Sequence, residues 1–362
     1  MYLHERKNWW RFQYDNERIL NLLGKVRAQQ GLMLGRMTSI GFDFQDDAML
    51  TTMSLELVRS SEIEGEILNL SEVRSSIARR LGINAAGLVP SSRYVEGVVE
   101  MLLDATQNYN RSLSDERLFG WHNVLFPTGR SGLYEIEVGK YRTGEMQVIS
   151  GAMGKERVHY QAPEPERLAE EMGIFITWFN KEAELDAVIK AAIAHLWFVS
   201  IHPFDDGNGR IARAITDMLL ARSENCNRRF YSMSTEIKLM QKEYYEVLER
   251  TQRGDGDITE WLLWFLKCLE KALASTESTL SSVLEKNRFW ERNKDVQFNE
   301  RQRRIINMLF DDFFGKLTSG KWAKIAKCSN DTALNDLKDL LAKGILVKNE
   351  EGGRSTNYSL VI

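Results

Sequence analysis

The sequence is poor in the residues that tie a chain to an oxidising compartment or a membrane. Its 362 residues hold three cysteines, Cys226, Cys268 and Cys328. Odd in number and widely spaced, they exclude a disulfide framework and match no zinc-ligand spacing. Proline is scarce, with five residues, and hydrophobic residues make up 43%, so a long disordered or low-complexity chain is excluded. Neither sign of charge dominates: 48 basic against 51 acidic residues leave a net charge of −3. That excludes a protein that coats nucleic acid with its whole surface and leaves only a local basic patch open. The longest apolar stretch, Ala187 to Phe204, is broken by Lys190, His195 and His202 and falls short of the ~20 residues of a membrane span. Glu5, Arg6 and Lys7 stand where a secretory leader would be apolar. These absences predict a protein of the reducing cytoplasm with no membrane contact.

What is present is helical periodicity. Ile19, Leu22, Leu23 and Val26 recur at intervals of three or four, as do Leu50, Met53, Leu57 and Val58, and such stripes predict helices packed on a core. A third helix is expected after Gly65, running to Leu81 with Gly82 as its stop. Helices are expected again over 94–109, 114–125, 166–179, 184–200, to about 221, 234–250 and 258–274. The helix before His202 is apolar nearly all round, which marks it as central. Between Gly129 and Pro165 six glycines separate short β-prone pieces, which predicts a hairpin rather than a second core. Aromatic residues near the start, Trp9, Trp10, Phe12 and Tyr14, are read as packing.

Residues 202–213, His-Pro-Phe-Asp-Asp-Gly-Asn-Gly-Arg-Ile-Ala-Arg, carry the chemistry. Pro203 biases His202 toward an extended backbone just outside the next helix. Gly207, Asn208 and Gly209 place unencumbered backbone N–H groups at that helix's start, where free donors and the positive end of the dipole attract an anion. Arg210 and Arg213, three apart, share a helical face and aim two guanidinium groups at the same polyanion. A phosphate chain suits this arrangement. Asp206 supplies one carboxylate, which suits Mg2+ sharing its shell with phosphates and water, and His202 is the group able to take a proton near neutrality. Gly207, Gly209 and Ala212 also fit a dinucleotide fingerprint, but a helix precedes them where that motif needs a strand.

This stretch resembles the signature of the Fic family, HxFx[D/E]GNGRxxR, at every specified position. The resemblance implies a mainly α fold, a Fic-type helical core with a β-hairpin flap, that transfers AMP from ATP to a Ser, Thr or Tyr hydroxyl of a target protein or of itself. It implies His202 as the base and Asp206 as the Mg2+ ligand. Asn208, with the backbone of Gly207 and Gly209, would cradle the α-phosphate, while Arg210 would meet the β-phosphate and Arg213 the γ-phosphate; Phe204 is expected to anchor the core. Ser60 to Gly65, Ser-Ser-Glu-Ile-Glu-Gly, resembles the family's inhibitory motif [ST]xxxE[GN], with Ser60, Glu64 and Gly65 at its fixed positions. A Glu64 carboxylate paired with Arg213 would deprive the γ-phosphate of its partner. The hairpin of 145–160 resembles the flap that holds a target segment by strand addition. Tyr244 and Tyr245 resemble a pair that packs around adenine, with Gln252 where some relatives carry Asn.

Four regions are expected: an N-terminal helical region with the inhibitory helix (1–87), the catalytic core (88–275), a helical linker (276–295) and a C-terminal winged helix-turn-helix (296–362), the last read from three short helices followed by a hairpin. Eleven basic against eight acidic residues from Val296 onward leave DNA binding open, although Asp331, Asp336 and Asp339 fall on the expected recognition helix and would face phosphates poorly. A homodimer is open too. Two other functions compete: a DNA-binding regulator whose Fic core senses nucleotide, and a hydrolase in which Glu64 orients water to remove AMP.

Overall fold

The computed structural model describes residues 1–38, 42–85, 87–150, 157–181, 185–311, 313, 315–349 and 356–361. The chain is mainly helical. In order run α1 (Asn16–Thr38), α2 (Phe42–Ile63), α3 (Leu70–Leu81), α4 (Arg93–Gln107) and α5 (Asp115–Leu125). The strands β1 (Arg130–Ser131), β2 (Tyr134–Glu135), β3 (Gln147–Ser150) and β4 (Arg157–Gln161) follow. Then come α6 (Leu168–Asn180), α7 (Ala187–Ile201), α8 (Asn208–Glu224), α9 (Met233–Leu239), α10 (Gln241–Gln252) and α11 (Thr259–Arg292). Two compact units result, one of Met1–Gly41, Met49–Ile83 and Leu88–Thr276, the other of Phe42–Ala48, Asn84–Gly87 and Glu277–Ile362. Among the described residues no helix is long and apolar enough to cross a membrane.

In the first unit α7 is the axis, because a helix apolar on every side has to be enclosed on every side. Val188 through Ile201 are all buried, and α7 packs against α6 and α8. Asp186 caps it by accepting from the N–H groups of Val188 and Ile189. Two polar residues inside the helix are satisfied locally. Lys190 Nζ donates to Phe179 O (2.8 Å) and Lys181 O (2.7 Å), closing the end of α6. His195 Nδ1 meets Thr216 Oγ1 and its Nε2 meets Tyr244 Oη, both at 2.9 Å. The early aromatics do pack: Trp9 and Phe12 stand edge-on to Trp197 of α7, and Trp9 Nε1 donates to Glu171 (2.9 Å).

Two boundaries differ from those expected, each for a local reason. Helix α3 starts at Leu70 rather than after Gly65 because the Asn69 side chain caps the N–H groups of Ser71 and Glu72. The helix expected over 234–250 is two, α9 and α10, meeting at Met240. The stretch expected as a helical linker, 276–295, is helical as far as Arg292, where α11 ends.

The hairpin read from the glycine-rich segment is β3 paired antiparallel to β4; its residues 151–156 lie outside the described set. In the second unit α12 (Glu300–Asp311), α13 (Ser319–Ala326) and α14 (Asn330–Ala342) precede a hairpin of β5 (Leu346–Lys348) and β6 (Tyr358–Leu360). Its core gathers Phe289, Ile305, Ile306, Trp322, Leu337 and Leu340. Asp336 of α14 is buried there, accepting from Arg301 Nε (2.8 Å), Asn299 Nδ2 (2.8 Å) and Trp322 Nε1 (3.3 Å). That carboxylate is spent inside the unit and is not part of a solvent-facing acidic surface on α14.

The approach of α4 to α5 is set by Gly97, where a Cβ would overlap Val124 O of the α5 backbone, whereas a Cβ on Gly120 of α5 meets nothing within 4 Å. Gly97→Ala is therefore expected to cost about 2–3 kcal/mol by overpacking against a rigid backbone. Gly120→Ala should be neutral or stabilising by up to about 1 kcal/mol through helix propensity. Urea denaturation of both variants checks the contrast.

Candidate active site

The site is built where α7 stops and α8 starts. His202 N–H still donates to Phe198 O (3.0 Å), closing α7. The His202 backbone then turns left-handed, φ 51° and ψ 59°, not extended as Pro203 predicts. A side chain in that region costs about 1–2 kcal/mol, so something must hold it. Arg142, with 2% of its surface exposed, does so. Its Nε donates to His202 O (2.9 Å), its backbone N–H to Pro203 O (2.9 Å), and its remaining guanidinium nitrogens to Gly144 O (2.7 Å) and Pro163 O (2.5 Å).

Below this turn the loop is clamped from inside. Phe204 is fully buried and stacked on His122, ring centroids 4.3 Å apart, as expected of a core anchor. The Asn208 side chain accepts from Phe204 N–H (3.0 Å) and donates to Phe204 O (2.8 Å). The Asn208 amide thus shapes the loop. Gly207 precedes α8 at φ 82°, and a Cβ there would press on the Phe126 ring at 2.9 Å. No side chain caps α8, so its first turn offers backbone donors and the positive end of its dipole.

His202 presents a base to this mouth. Burial holds its pKa below the usual histidine range, partly offset by the bond from Nδ1 to Val199 O (3.2 Å). A carbonyl can only accept, so Nδ1 carries the proton of the neutral ring and Nε2 carries the lone pair. Arg210 and Arg213 are both buried. Arg210 Nη1 donates to Tyr94 Oη (2.6 Å), its Nη2 lies 3.5 Å from Asp206, and its guanidinium sits 4.9 Å from the centre of the Phe126 ring. Arg213 donates from Nε to Ser60 Oγ (2.8 Å), and from Nη2 to Ser60 O (2.9 Å) and Glu64 Oε1 (2.8 Å). Two of their donors, Arg210 Nε and Arg213 Nη1, are buried without a partner among the described residues. Unpartnered buried guanidinium donors beside an uncapped helix fit a polyanionic ligand.

Glu64 stands in that space. It follows α2 directly, in a turn closed by Glu64 N–H to Ser61 O (3.1 Å) and Gly65 N–H to Glu62 O (3.2 Å). Its carboxylate also leans on the first turn of α8, since a Cβ on Gly209 would overlap Glu64 Oε1. Ser60 and Glu64 therefore meet Arg213 together, while Gly65 turns the chain away at φ 85°. The end of α2 is tied down from outside: Lys238 Nζ donates to Glu62 O (2.9 Å) and Gln241 Nε2 to Ile63 O (3.0 Å). One turn pair earlier, Glu56 accepts from Ser232 Oγ (2.8 Å) and Ser234 N–H (3.0 Å) at the start of α9.

Asp206 is 39% exposed at the mouth. It accepts from Gly207 N–H and from Ser131 Oγ, each at 2.5 Å. No group of three or more His, Cys, Asp or Glu side chains suited to a metal occurs among the described residues. A single exposed carboxylate fits a Mg2+ that draws its other ligands from phosphate and water.

Tyr244 and Tyr245 lie beside one another, ring centroids 5.1 Å apart, and both stand near enough to Arg213 to act on its charge. Thr216 Oγ1 donates to Ala212 O (2.8 Å), so His195 Nδ1–H donates to Thr216 and its Nε2 accepts from Tyr244. Tyr244 is thus a buried residue, 2% exposed, with its hydroxyl committed to His195. Tyr245, 44% exposed, remains on the rim with Oη 3.5 Å from Ile63 O. Gln252 is buried and donates to Ser200 Oγ (3.2 Å).

With this geometry in place, family comparison adds a finding: residues 112–220 match the family model described as Fic/DOC family. Over that segment the chain is similar to the Fic/DOC family. Residues 2–83 match a second model, a domain of unknown function designated DUF4172. Among curated proteins, "Protein adenylyltransferase Fic" of Nematostella vectensis is 25% identical over 223 residues, 60% of this chain and 47% of that protein. The protein of the same name from Aedes aegypti is 28% identical over 223 residues, 60% of this chain and 40% of that one. The chain thus matches less than half the length of these relatives. A Fic family protein from Desulfovibrio desulfuricans G20 shares the fold, with a TM-score of 0.54 and 21% identity over 95% of this chain and 96% of that one.

Sequence reasoning missed Arg142, Tyr94, Ser131 and His122. The first three have partners set by chain folding alone. His122 is legible only afterwards: Gly139 N–H donates to its Nδ1 (3.2 Å), so its Nε2–H donates to Asp206 O (3.2 Å) beneath the loop. Burial pushes its pKa down to about 4. A histidine held neutral in the fold takes up a proton on unfolding below its ordinary 6.5. Its contribution is therefore intact above pH 6.5 and is lost as pH falls toward 4. The stability advantage of the wild type over His122→Gln should shrink by about 2 kcal/mol between pH 7 and pH 5, read from urea denaturation at both values; a pH-independent difference would contradict the neutral, buried ring.

Proposed function

We propose that this chain is a protein adenylyltransferase that moves AMP from ATP to a Ser, Thr or Tyr hydroxyl of a target protein or of itself, and that Glu64 restrains it. The observation that carries the proposal is the neutral His202, with Nε2 free, beside an uncapped helix whose two buried arginines hold unsatisfied donors. The name shared by the curated relatives supports the same chemistry.

The chain's residues would act as follows. The first turn of α8 and Arg210 bind the phosphates and fix the α-phosphorus in line with the incoming hydroxyl. His202 Nε2 takes the hydroxyl proton as the oxygen attacks, and the bond to the leaving pyrophosphate breaks. Arg142 and Asn208 keep the loop from shifting, which keeps the base at its station. Asp206 would hold Mg2+, which supplies charge neutralisation to the phosphates when bound. The hairpin of β3 and β4 offers an open strand edge to an extended target segment. Three unpaired cysteines suit a reducing, cytoplasmic setting.

The brake is electrostatic. While Glu64 holds Arg213, a γ-phosphate has no cation to meet and is repelled by the carboxylate. We assign the N-terminal helices through residue 87 to the brake, 88–275 to catalysis, 276–295 to a helical linker and 296–362 to a separate winged-helix module.

A hydrogen bond to a charged group contributes about 1.5–3 kcal/mol, so returning Arg213 to the substrate should raise turnover at least about tenfold. Glu64→Gly is expected to increase incorporation of labelled AMP into protein by that factor, and His202→Ala in the same background to abolish it. Unchanged incorporation in both would remove the proposal. The competing hydrolase, in which Glu64 aligns water, predicts the opposite response to Glu64→Gly: release of AMP from a modified target would be lost.

A further inference from the structure

The hairpin of β3 and β4 carries a second constellation that adenylyl transfer does not use. Ser150 Oγ lies 2.6 Å from His159 Nε2, and His159 Nδ1 lies 2.7 Å from Glu249 Oε2. Three elements contribute, β3 the hydroxyl, β4 the imidazole and α10 the carboxylate. A carboxylate oxygen only accepts, so in the neutral ring Nδ1–H donates to Glu249, and Nε2 is left to accept the Ser150 O–H. This is the polarity of a nucleophile, its base and the group that orients the base.

Two features show how the arrangement is held. The β3–β4 ladder pairs Val148 with Tyr160 and Ile149 with Val158, so His159 is the extra residue of a bulge. A bulge re-aims a side chain, and here it turns the imidazole toward both Ser150 and Glu249. Glu249 is in turn kept ionised and in place by Arg157 Nη2 (2.8 Å) and Arg253 Nε (3.6 Å). Arg253 also donates to Val158 O (2.9 Å) and His159 O (3.2 Å), fixing the strand that presents the ring. Ser150 itself is exposed, as a group that must meet an incoming reagent has to be.

We propose that Ser150 is an activated nucleophile and a covalent modification site for acyl or phosphoryl electrophiles, with His159 as its base and Glu249 as the positioning residue. In the step, Oγ forms a bond to the carbonyl carbon or phosphorus and the bond to the leaving group breaks. The Oγ proton passes to Nε2, from where a leaving alkoxide can take it. The site is independent of His202 and of nucleotide.

The test is reaction of the full chain with a fluorophosphonate reporter in the absence of ATP, with sites located by peptide mass spectrometry. Here the Oγ–P bond forms as P–F breaks and fluoride departs. The expected result is labelling of Ser150 at least tenfold faster than other exposed serines, slowed by a hundredfold or more in His159→Gln, as removal of a general base implies, and slowed to a lesser extent in Glu249→Gln. If the constellation only fastens the hairpin to α10, Ser150 will label no faster than other serines, or at a rate His159→Gln leaves unchanged; either result overturns the proposal. The readout uses no nucleotide, so it succeeds or fails separately from adenylyl transfer.

Discussion

Arg213 is a cation with 3% of its side chain exposed, and a buried guanidinium has to be met by an anion or by a full set of hydrogen bonds. The fold leaves that requirement partly unmet. Ser60 and Glu64 satisfy Nε and Nη2, and Nη1 is left over. Under the proposed function, that one cation would have two competing claimants, a carboxylate supplied by the chain and a phosphate supplied by substrate. The proposed brake would draw its bistability from this shared partner. Glu64 retains 28% exposure, so water can replace Arg213 as its partner when it leaves, and the exchange costs less than unpairing a fully buried carboxylate.

The catalytic loop is fixed by a different principle. A left-handed histidine is unfavourable, and the bend beside it needs a glycine, Gly207 at φ 82°. They persist because Arg142 and Asn208 devote their side chains to backbone groups of that loop, and because Phe204 is locked in an aromatic cluster. Strain at the base is thus balanced by packing around it. The result is an imidazole and an uncapped helix start held at a set separation, the preorganisation that the proposed adenylyl transfer would use.

Much of this was legible from sequence where function compresses several chemistries into adjacent residues. Residues 202–213 hold the base, the carboxylate, the glycines and both arginines in one helix-entry segment, so spacing alone reveals the anion site. Ser60 and Glu64 were legible through the resemblance of 60–65 to the inhibitory motif of the Fic family, and the structure places both against Arg213. The tyrosine pair was legible only as a pair: neighbouring residues on a helix point about 100° apart, and folding alone sends the Tyr244 hydroxyl inward to His195 while Tyr245 stays on the rim. Arg142 had no signal, because it binds carbonyls brought near it only by folding. Helix starts failed where a single capping side chain, Asn69, outweighed hydrophobic periodicity.

The most direct measurement is calorimetric titration of magnesium-ATP and magnesium-ADP into the wild type and into Glu64→Gln. If the carboxylate and the terminal phosphate compete for Arg213, the substitution will tighten ATP by at least about tenfold, the equivalent of about 1.4 kcal/mol, and will change ADP far less. Equal shifts for both nucleotides, or none for either, would contradict the competition on which the restraint rests.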